Sequence, residues 1–278
     1  MNDGKLYHLA SFSTGDKGGN PAGVWIGDEL PSAETMQQIA AEVGASETAF
    51  IAPATGCRRT VRYYSPTLEV SFCGHATIAS GIVLGQEDGE GAYQLDTSIG
   101  EVIVTARQYD GRMEASLRSV DTRQEPIDDA LLQEALDCLH WTCDDLDGSV
   151  PPVKAYAGAW HLVLAVRGAD TLADLDYDFD ALRALMEREG LTTLQLVWRE
   201  KDGLFHSRNP FPIGGIIEDP ATGAAAAALG GYLRDAGLVE TPFNFRIRQG
   251  ESIGMPSLIS VEVPAAGGIL VSGYGRDL

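Results

Sequence analysis

The chain has 278 residues, of which 44% are hydrophobic and 22% are charged, proportions typical of a globular protein in water. Forty acidic against twenty basic side chains give a net charge of -20. This balance argues against a nucleic-acid or anionic-membrane partner, because both need a basic surface, but it leaves a small anionic ligand open.

The start of the chain, Met1 to Lys5, lacks the apolar core of a signal peptide. No apolar run approaches the roughly 20 residues that span a bilayer. The four cysteines show no CxxC spacing, and they are Cys57, Cys73, Cys138 and Cys143. We therefore expect a reduced, cytoplasmic protein.

The first half of the chain predicts strands and helices in alternation. Met36, Ile39, Ala40 and Val43 have helical spacing, and Gly44 is expected to end that helix. The predicted strands are Leu6–Phe12, Ala22–Ile26, Glu47–Ile51, Thr60–Tyr64, Tyr93–Thr97, Val102–Ala106 and Met113–Leu117.

The second half begins with a polar stretch, Asp121–Pro126, which reads as a linker. Helices are predicted over Asp129–Leu139 and Asp178–Arg188. The predicted strands are His161–Val166, Leu194–Trp198, Leu204–Ser207, Phe245–Gln249, Leu258–Val263 and Ile269–Gly273.

Two glycine-bearing turns each lead straight into a helix of small residues. The first is Phe72–Thr77, and the second is Glu218–Gly223, which precedes five alanines. A helix N-terminus offers unpaired N–H groups and a positive dipole end, so each turn is a candidate anion site. Because the side chains are so small, we expect both helices inside a curled sheet, with a surface alanine-rich helix as the alternative.

Glu47 is a candidate proton shuttle, because it lies among small and apolar neighbours where desolvation raises a carboxyl pKa. Its alternative is an ordinary carboxylate at a strand edge that accepts from a backbone amide. His75 stands at a helix start, where a neutral imidazole can exchange a proton, or where it simply caps or fills the core.

Three further residues have both functional and structural interpretations. Asp219 before Pro220 suits catalysis or an N-terminal cap, and Asn20 is a turn former that could also donate to a ligand. Cys73 at a helix start could act as a thiolate base. A metal site over Cys138–Cys143 is not expected, because helical residues two apart point to different sides.

Five motifs in this order resemble the PhzF-like family of phenazine-biosynthesis-type isomerases, whose fold is shared with diaminopimelate epimerase and proline racemase. Together they span most of the chain and are specific for the family, though not for a substrate. The motifs are Gly19-Asn20-Pro21-Ala22, Ser46-Glu47-Thr48-Ala49-Phe50, Cys73-Gly74-His75-Ala76-Thr77, Glu218-Asp219-Pro220-Ala221-Thr222-Gly223 and Gln249-Gly250.

The resemblance implies an α+β fold of two similar lobes, each a curled, mostly antiparallel sheet around a central helix. The expected lobes are residues 1–120 and 121–278, with the active-site cleft between them. The last strand, about 268–278, could return to the first lobe.

The resemblance also implies a catalytic carboxylate at Glu47, assisted by His75 and Asp219. No metal, nucleotide, pyridoxal or other cofactor is implied, and a homodimer is expected. The substrate would be a small anionic metabolite. Its binding residues would be Asn20, Ser46, Cys73, Gly74, Gly223 and Ala224.

Two positions depart from the family pattern. Ala224 stands where the family usually has serine, and Met255 stands where it often has arginine. The chain therefore lacks one hydroxyl donor and one positive charge, which puts the phenazine substrate in doubt.

Three functions stay open at this point. The leading one is a cofactor-independent isomerase that shifts a proton on a small carboxylate-bearing metabolite, including unsaturated or cyclic ones. The second is an amino-acid epimerase or racemase, which needs a second base opposite Glu47, either Cys73 or Asp219. The third is a non-catalytic small-molecule-binding protein on the same scaffold.

Overall fold

The computed structural model describes residues 4–54, 58–201 and 203–278, so Cys57 and the first three residues lie outside the described part. The chain divides into two compact units. Unit 1 comprises Met1–Arg118 and Ser272–Leu278, and unit 2 comprises Ser119–Val271. Among the described residues, no helix combines the length and apolar content needed to cross a bilayer.

The described residues of unit 1 form two α-helices and eight strands before the return of the chain end. The helices are α1 (Ala33–Val43) and α2 (Gly74–Asp88). The strands are β1 (Gly4–Ser11), β2 (Asn20–Gly27), β3 (Glu47–Pro53), β4 (Arg58–Tyr64), β5 (Glu69–Val70), β6 (Gly91–Thr97), β7 (Gly100–Tyr109) and β8 (Arg112–Arg118).

The described part of unit 2 contains four α-helices and most of the remaining strands. The helices are α3 (Asp129–Cys138), α4 (Ala169–Ala173), α5 (Phe179–Glu189) and α6 (Gly223–Asp235). The strands are β9 (Arg123–Pro126), β10 (Val153–Tyr156), β11 (Trp160–Val166), β12 (Thr193–Lys201), β13 (Leu204–Arg208), β14 (Pro210–Phe211), β15 (Ile216–Glu218), β16 (Phe243–Gln249), β17 (Ser257–Val263) and β18 (Leu270–Asp277), the last of which belongs to unit 1 from Ser272 onward.

The sheet of unit 1 is a closed barrel of eight strands. Its order is β1-β2-β3-β4-β6-β7-β8-β18, and β18 pairs back onto β1. The β2–β3 and β4–β6 pairs are parallel, whereas β1–β18, β1–β2, β3–β4, β4–β5, β6–β7 and β7–β8 are antiparallel. Closure satisfies the backbone groups that an open edge would leave unpaired. The predicted α+β class is confirmed.

Helix α2 fills the interior of this barrel. It packs against β1, β2, β3, β6, β7 and β8, and every residue from Ala76 to Gly85 is buried. Small side chains are required, because a Cβ at Gly85 would lie 2.6 Å from the Ala106 Cβ and 2.7 Å from the Met113 sulfur. The expectation of a helix inside a curled sheet is confirmed here, and the surface alternative is wrong.

Helix α1 places the start of β3. The Ser32 side chain accepts from the Thr35 N–H at its N-terminus, and Gly44 ends it in the left-handed conformation with φ 66°. Glycine adopts this conformation without the Cβ penalty that other residues meet. The chain therefore reverses at Gly44 and enters β3 at Glu47, as the sequence predicts.

Unit 2 has strand order β17-β16-β13-β12-β11-β10-β9, with parallel β11–β12 and β13–β16 pairs. Leu162, Leu164 and Leu194 join the apolar side chains of α3 and α5 in one buried cluster. Helix α6 packs against β9, β10, β11, β12 and β17, and every residue from Ala225 to Leu233 is buried.

The prediction of a linker over Asp121–Pro126 is wrong. Arg123–Pro126 forms β9, which pairs with the unpredicted strand β10 from Pro126 opposite Val153 to Arg123 opposite Tyr156. All four residues of β9 are exposed, so the sequence shows no apolar alternation there. Strand β9 is held instead by this pairing and by the Arg123 guanidinium, whose Cζ lies 4.2 Å from the centre of the Tyr156 ring.

Candidate active site

Three ionisable side chains of unit 1 converge where β3 begins and α2 begins. The Cys73 thiol donates to Glu47 Oε2 at 3.4 Å, and His75 Nε2 lies 3.4 Å from the same oxygen. Cys73 Sγ and His75 Nδ1 are 3.3 Å apart. The structure therefore brings together three of the residues that the sequence predicts, and a proton can pass among them over hydrogen-bond distances.

The cluster is sheltered but reachable from solvent. The side chain of Glu47 is 21% exposed and that of His75 is 10% exposed. Ser46, another predicted residue, places its hydroxyl 3.1 Å from His75 Nε2. This contact fixes the imidazole ring beside the carboxylate.

A chain of buried hydroxyl groups holds the backbone of Cys73. The Thr77 hydroxyl donates to the Cys73 carbonyl at 2.7 Å, and the Tyr63 hydroxyl lies 2.7 Å from Thr77 Oγ1. Burial raises the pKa of Tyr63 well above its ordinary value, so this phenol stays protonated. Sequence reasoning missed both supporting residues. The available signal was a threonine four positions after Cys73, at helical spacing.

The start of α2 suits an anion. Cys73 occupies the N-cap position without a side-chain hydrogen bond to the helix, and the first turn contains no acidic residue. The first N–H groups of a helix have no intrahelical acceptor, and they carry the positive end of the dipole. A Cβ added at Gly74 would meet nothing within 4 Å, so there is open space beside these donors.

Asn20 lies at the same end of the barrel as Glu47. It is the first residue of β2, and the parallel register places Ala22 of that strand opposite Glu47. Its backbone carbonyl accepts from the Ser11 hydroxyl at 3.3 Å, and the residue is buried. Its predicted contact with substrate stays a prediction.

The second motif forms its own hydrogen-bonded group in unit 2. The Thr222 hydroxyl donates to Asp219 Oδ2 at 2.6 Å, and the Asp219 N–H donates to the Asn209 carbonyl at 3.0 Å. Thr222, rather than Asp219, is the N-cap residue of α6. The alternative interpretation of Asp219 as the N-cap is therefore wrong.

Gln249 holds this turn closed. Its amide donates to the Asp219 carbonyl at 2.7 Å and to the Thr222 hydroxyl at 3.0 Å, and its carbonyl accepts from the Thr222 N–H at 3.2 Å. Gly250 follows with φ 76°, where a Cβ would lie 2.7 Å from the Pro220 carbonyl oxygen. The sequence marks Gln249-Gly250 only as a motif, without this role.

The predicted residues thus fall into two groups. Glu47, Cys73, Gly74, His75, Ser46 and Asn20 belong to unit 1, whereas Asp219, Gly223 and Ala224 belong to unit 2. Gly223 and Ala224 are partly exposed at the start of α6, whose first turn contains no acidic residue. The participation of the second group in catalysis and binding stays a prediction.

One group of side chains has the donor set for a metal ion. The potential ligand atoms of Glu47, Cys73 and His75 all lie within 4.8 Å of one another. The segment Cys138–Cys143, for which no metal site is expected, is not one continuous helix. Cys138 is the last residue of α3, and His140 follows the helix with φ 56°.

Comparison with known proteins identifies relatives that match most of the chain. The sequence profile of the family described as phenazine biosynthesis-like protein matches residues 9–273. An uncharacterized isomerase of Deinococcus radiodurans is 32% identical, over 93% of this chain and 86% of its own length. The trans-2,3-dihydro-3-hydroxyanthranilate isomerase of Pseudomonas fluorescens is 30% identical, over 90% and 87%.

A solved structure has the same fold. The PhzF-family phenazine biosynthesis protein of Bacillus anthracis superposes with a TM-score of 0.87, covering 98% of this chain and 96% of its own. Its sequence identity is 21%, so this similarity concerns the fold.

Proposed function

The chain belongs to the phenazine biosynthesis-like family and is an isomerase, and from this premise we propose that it shifts a proton on a small carboxylate-bearing metabolite without a cofactor. Glu47 is the general acid and base. The observation that carries the proposal is the contact of its carboxylate with Cys73 and His75 beside the open N-terminus of α2.

In the first step, Glu47 removes a proton from a carbon next to a carboxylate or a conjugated system. The electron pair of the broken C–H bond moves into the substrate as an enolate-like charge. The backbone N–H groups at Gly74 and His75 face that charge from the helix end, where fixed dipoles stabilise it without reorganisation.

In the second step, the protonated Glu47 returns the proton to a different carbon, and the double bonds of the substrate shift accordingly. His75 and Cys73 lie within reach of the same carboxylate oxygen, so they relay the proton or hold it between the two steps. Ser46 keeps the imidazole in position for this exchange.

The choice of substrates to test starts from the relative whose name states its reaction. Trans-2,3-dihydro-3-hydroxyanthranilate is the reference compound for the assay, because the Pseudomonas fluorescens relative is named for its isomerisation. Ala224 and Met255 depart from the family pattern, so we propose a different substrate of the same kind: a small, unsaturated carboxylate. The expected homodimer is also part of this proposal.

The test measures deuterium incorporation. The purified protein is incubated in D2O with candidate carboxylates, and exchange is followed by mass spectrometry and NMR. Glu47→Gln should slow the exchange by roughly 10²- to 10⁴-fold, the usual contribution of a general base. Glu42→Gln, at an exposed position of α1, is the matched control and should retain it. Tight carboxylate binding without exchange would instead identify a binding protein.

The geometry of unit 1 counts against Cys73 as the second base of a racemase. Two bases that act on opposite faces of one carbon must stand roughly 6 Å apart, about twice hydrogen-bond reach. Cys73 Sγ lies 3.4 Å from the Glu47 carboxylate, so both groups approach a substrate from the same side. Inversion of a free amino acid, observed by chiral chromatography, would contradict the proposed proton shift between carbons, and it would leave Asp219 as the remaining candidate for the opposing base.

A further inference from the structure

Tyr63 joins the two elements that carry the candidate site. It lies on β4 directly opposite Ala49 of β3 in an antiparallel pair, and its side chain points into the barrel, where its hydroxyl lies 2.7 Å from Thr77 Oγ1 of α2. Ala49 is two positions after Glu47, and alternate residues of a strand share one face of the sheet. The tyrosine and the Glu47 carboxylate therefore stand on the same inner face of the barrel, one strand apart.

The hydroxyl groups of Tyr63 and Thr77 form a chain with one direction. A threonine hydroxyl has a single proton, and that of Thr77 is donated to the Cys73 carbonyl at 2.7 Å. Thr77 Oγ1 must therefore accept from the Tyr63 hydroxyl, and hydrogen bonds in such a chain strengthen one another. Burial raises the pKa of Tyr63 above its ordinary value, so the phenol keeps this proton at neutral pH.

Tyr63 also contacts the segment that leads into α2. Its ring meets the Phe72 ring edge to face, with centroids 5.8 Å apart and planes at 76°. Its hydroxyl acts on the next residue, because the Cys73 carbonyl accepts from both the hydroxyl and the N–H of Thr77, at 2.7 and 3.0 Å. Two consecutive residues before the helix are thus tied to one buried side chain of β4.

We propose that Tyr63 is a positioning residue of the isomerase, which fixes the first turn of α2 against the carboxylate of Glu47. The 3.4 Å distances from Glu47 Oε2 to Cys73 Sγ and to His75 Nε2 depend on the position of the helix start relative to β3. A displacement of about 1 Å in such a site can cost about 10²-fold in rate. The effect on the reaction rests on the proposed function, whereas the effect on the helix start does not.

The test compares two tyrosines whose hydroxyls support the same helix at opposite ends. Tyr93 of β6 is also buried, and its hydroxyl lies 3.0 Å from the Leu84 carbonyl and 2.5 Å from that of Gly89, at the far end of α2. Tyr63→Phe and Tyr93→Phe each remove one hydroxyl and keep the ring, so both should lower the free energy of unfolding in urea. Only Tyr63→Phe should slow deuterium exchange into the candidate carboxylate that the wild type exchanges fastest, by roughly 10- to 100-fold and mainly in kcat.

Variants of Thr77 test whether the hydroxyl chain transmits the effect. Thr77→Ser keeps the hydroxyl between Tyr63 and Cys73 and should retain the rate, whereas Thr77→Val removes it and should slow exchange as Tyr63→Phe does. The double variant Tyr63→Phe/Thr77→Val should be no slower than the slower single variant, because both changes break the same chain. Losses that multiply in the double variant would overturn this route.

A second readout needs no turnover. In two-dimensional NMR spectra of the 15N-labelled protein, the amide resonances of Gly74 and His75 report the backbone at the start of α2. Tyr63→Phe should shift both resonances, whereas Tyr93→Phe should leave both in place and shift resonances at the far end of the helix. Unshifted Gly74 and His75 resonances in folded Tyr63→Phe protein would overturn the proposal.

The two readouts distinguish failure of this proposal from failure of the proposed function. If the wild type exchanges no carboxylate, the proposed function fails, and the amide resonances alone decide whether Tyr63 fixes the helix start. If the wild type exchanges a substrate and Tyr63→Phe does so as fast as Tyr93→Phe, the positioning role is overturned and the proposed function stands.

Discussion

The buried histidine of unit 2 makes a quantitative prediction about acid stability. His161 on β11 is fully buried, with Nδ1 2.9 Å from the Thr193 hydroxyl and Nε2 without a partner among the described residues. Desolvation lowers its pKa from 6.5 to about 3. The imidazole is therefore neutral in the folded protein throughout the mildly acidic range.

The sign of the pH dependence follows from proton uptake. Between pH 6.5 and about 3, the unfolded chain binds a proton at His161 and the folded chain does not, so the free energy of unfolding falls as pH falls. A pH of about 5 lies roughly 1.5 units below the pKa of the imidazole in the unfolded chain, which corresponds to a loss of about 2 kcal/mol in the free energy of unfolding.

The assay compares urea unfolding at about pH 7 and about pH 5 for the wild type and His161→Gln. The wild type should lose about 2 kcal/mol more than the variant over this interval, because carboxylates titrate equally in both proteins. His140→Gln, at an exposed histidine, should behave as the wild type. Equal losses in the wild type and His161→Gln would refute the reasoning, since they would mean that the buried imidazole takes up a proton without cost.

Two other substitutions test packing and buried charge by urea unfolding. Gly85→Ala should destabilise unit 1 by about 1–3 kcal/mol, because the added Cβ meets side chains of β7 and β8. Gly91→Ala, where an added Cβ meets nothing within 4 Å, should not destabilise it. Equal effects of the two substitutions would contradict the account of α2 as a helix that needs small residues. Glu218→Gln should cost about 3 kcal/mol, because it leaves the largely buried Arg208 guanidinium without its carboxylate. Glu134→Gln, in an exposed ion pair, should leave stability unchanged within error, and a comparable loss there would refute the role of burial.

The buried helices were predictable because their signal is local. The run from Ala224 to Ala228 and the small residues around Gly81 favour helix and tolerate close neighbours without reference to the rest of the chain. Gly44 is equally local, since one left-handed residue ends α1. The prediction of these positions therefore needs only the sequence and elementary sterics.

Strand β9 was not predictable, because its stability comes from a partner far along the chain. Arg123–Pro126 has no buried side chain, and it is a strand only through its pairing with β10, about 30 residues later. Gln249 illustrates the same limit at the second motif. Its three hydrogen bonds to the Asp219–Thr222 turn join residues 27 to 30 positions apart, and no local sequence pattern predicts them.

The candidate site combines both kinds of information. The family motifs mark Glu47, Cys73 and His75 as site residues, but their mutual distances depend on two unrelated elements, the start of β3 and the start of α2. The barrel sets both, because it buries α2 from Ala76 to Gly85 and leaves Gly74 and His75 partly exposed. The Tyr63–Thr77–Cys73 chain then ties that turn to the core. Donors fixed in this way need little reorganisation when charge develops on a substrate, which is the condition under which helix-end N–H groups contribute most to catalysis. For this reason we propose that Glu47 transfers the proton and that the backbone of α2 stabilises the charge.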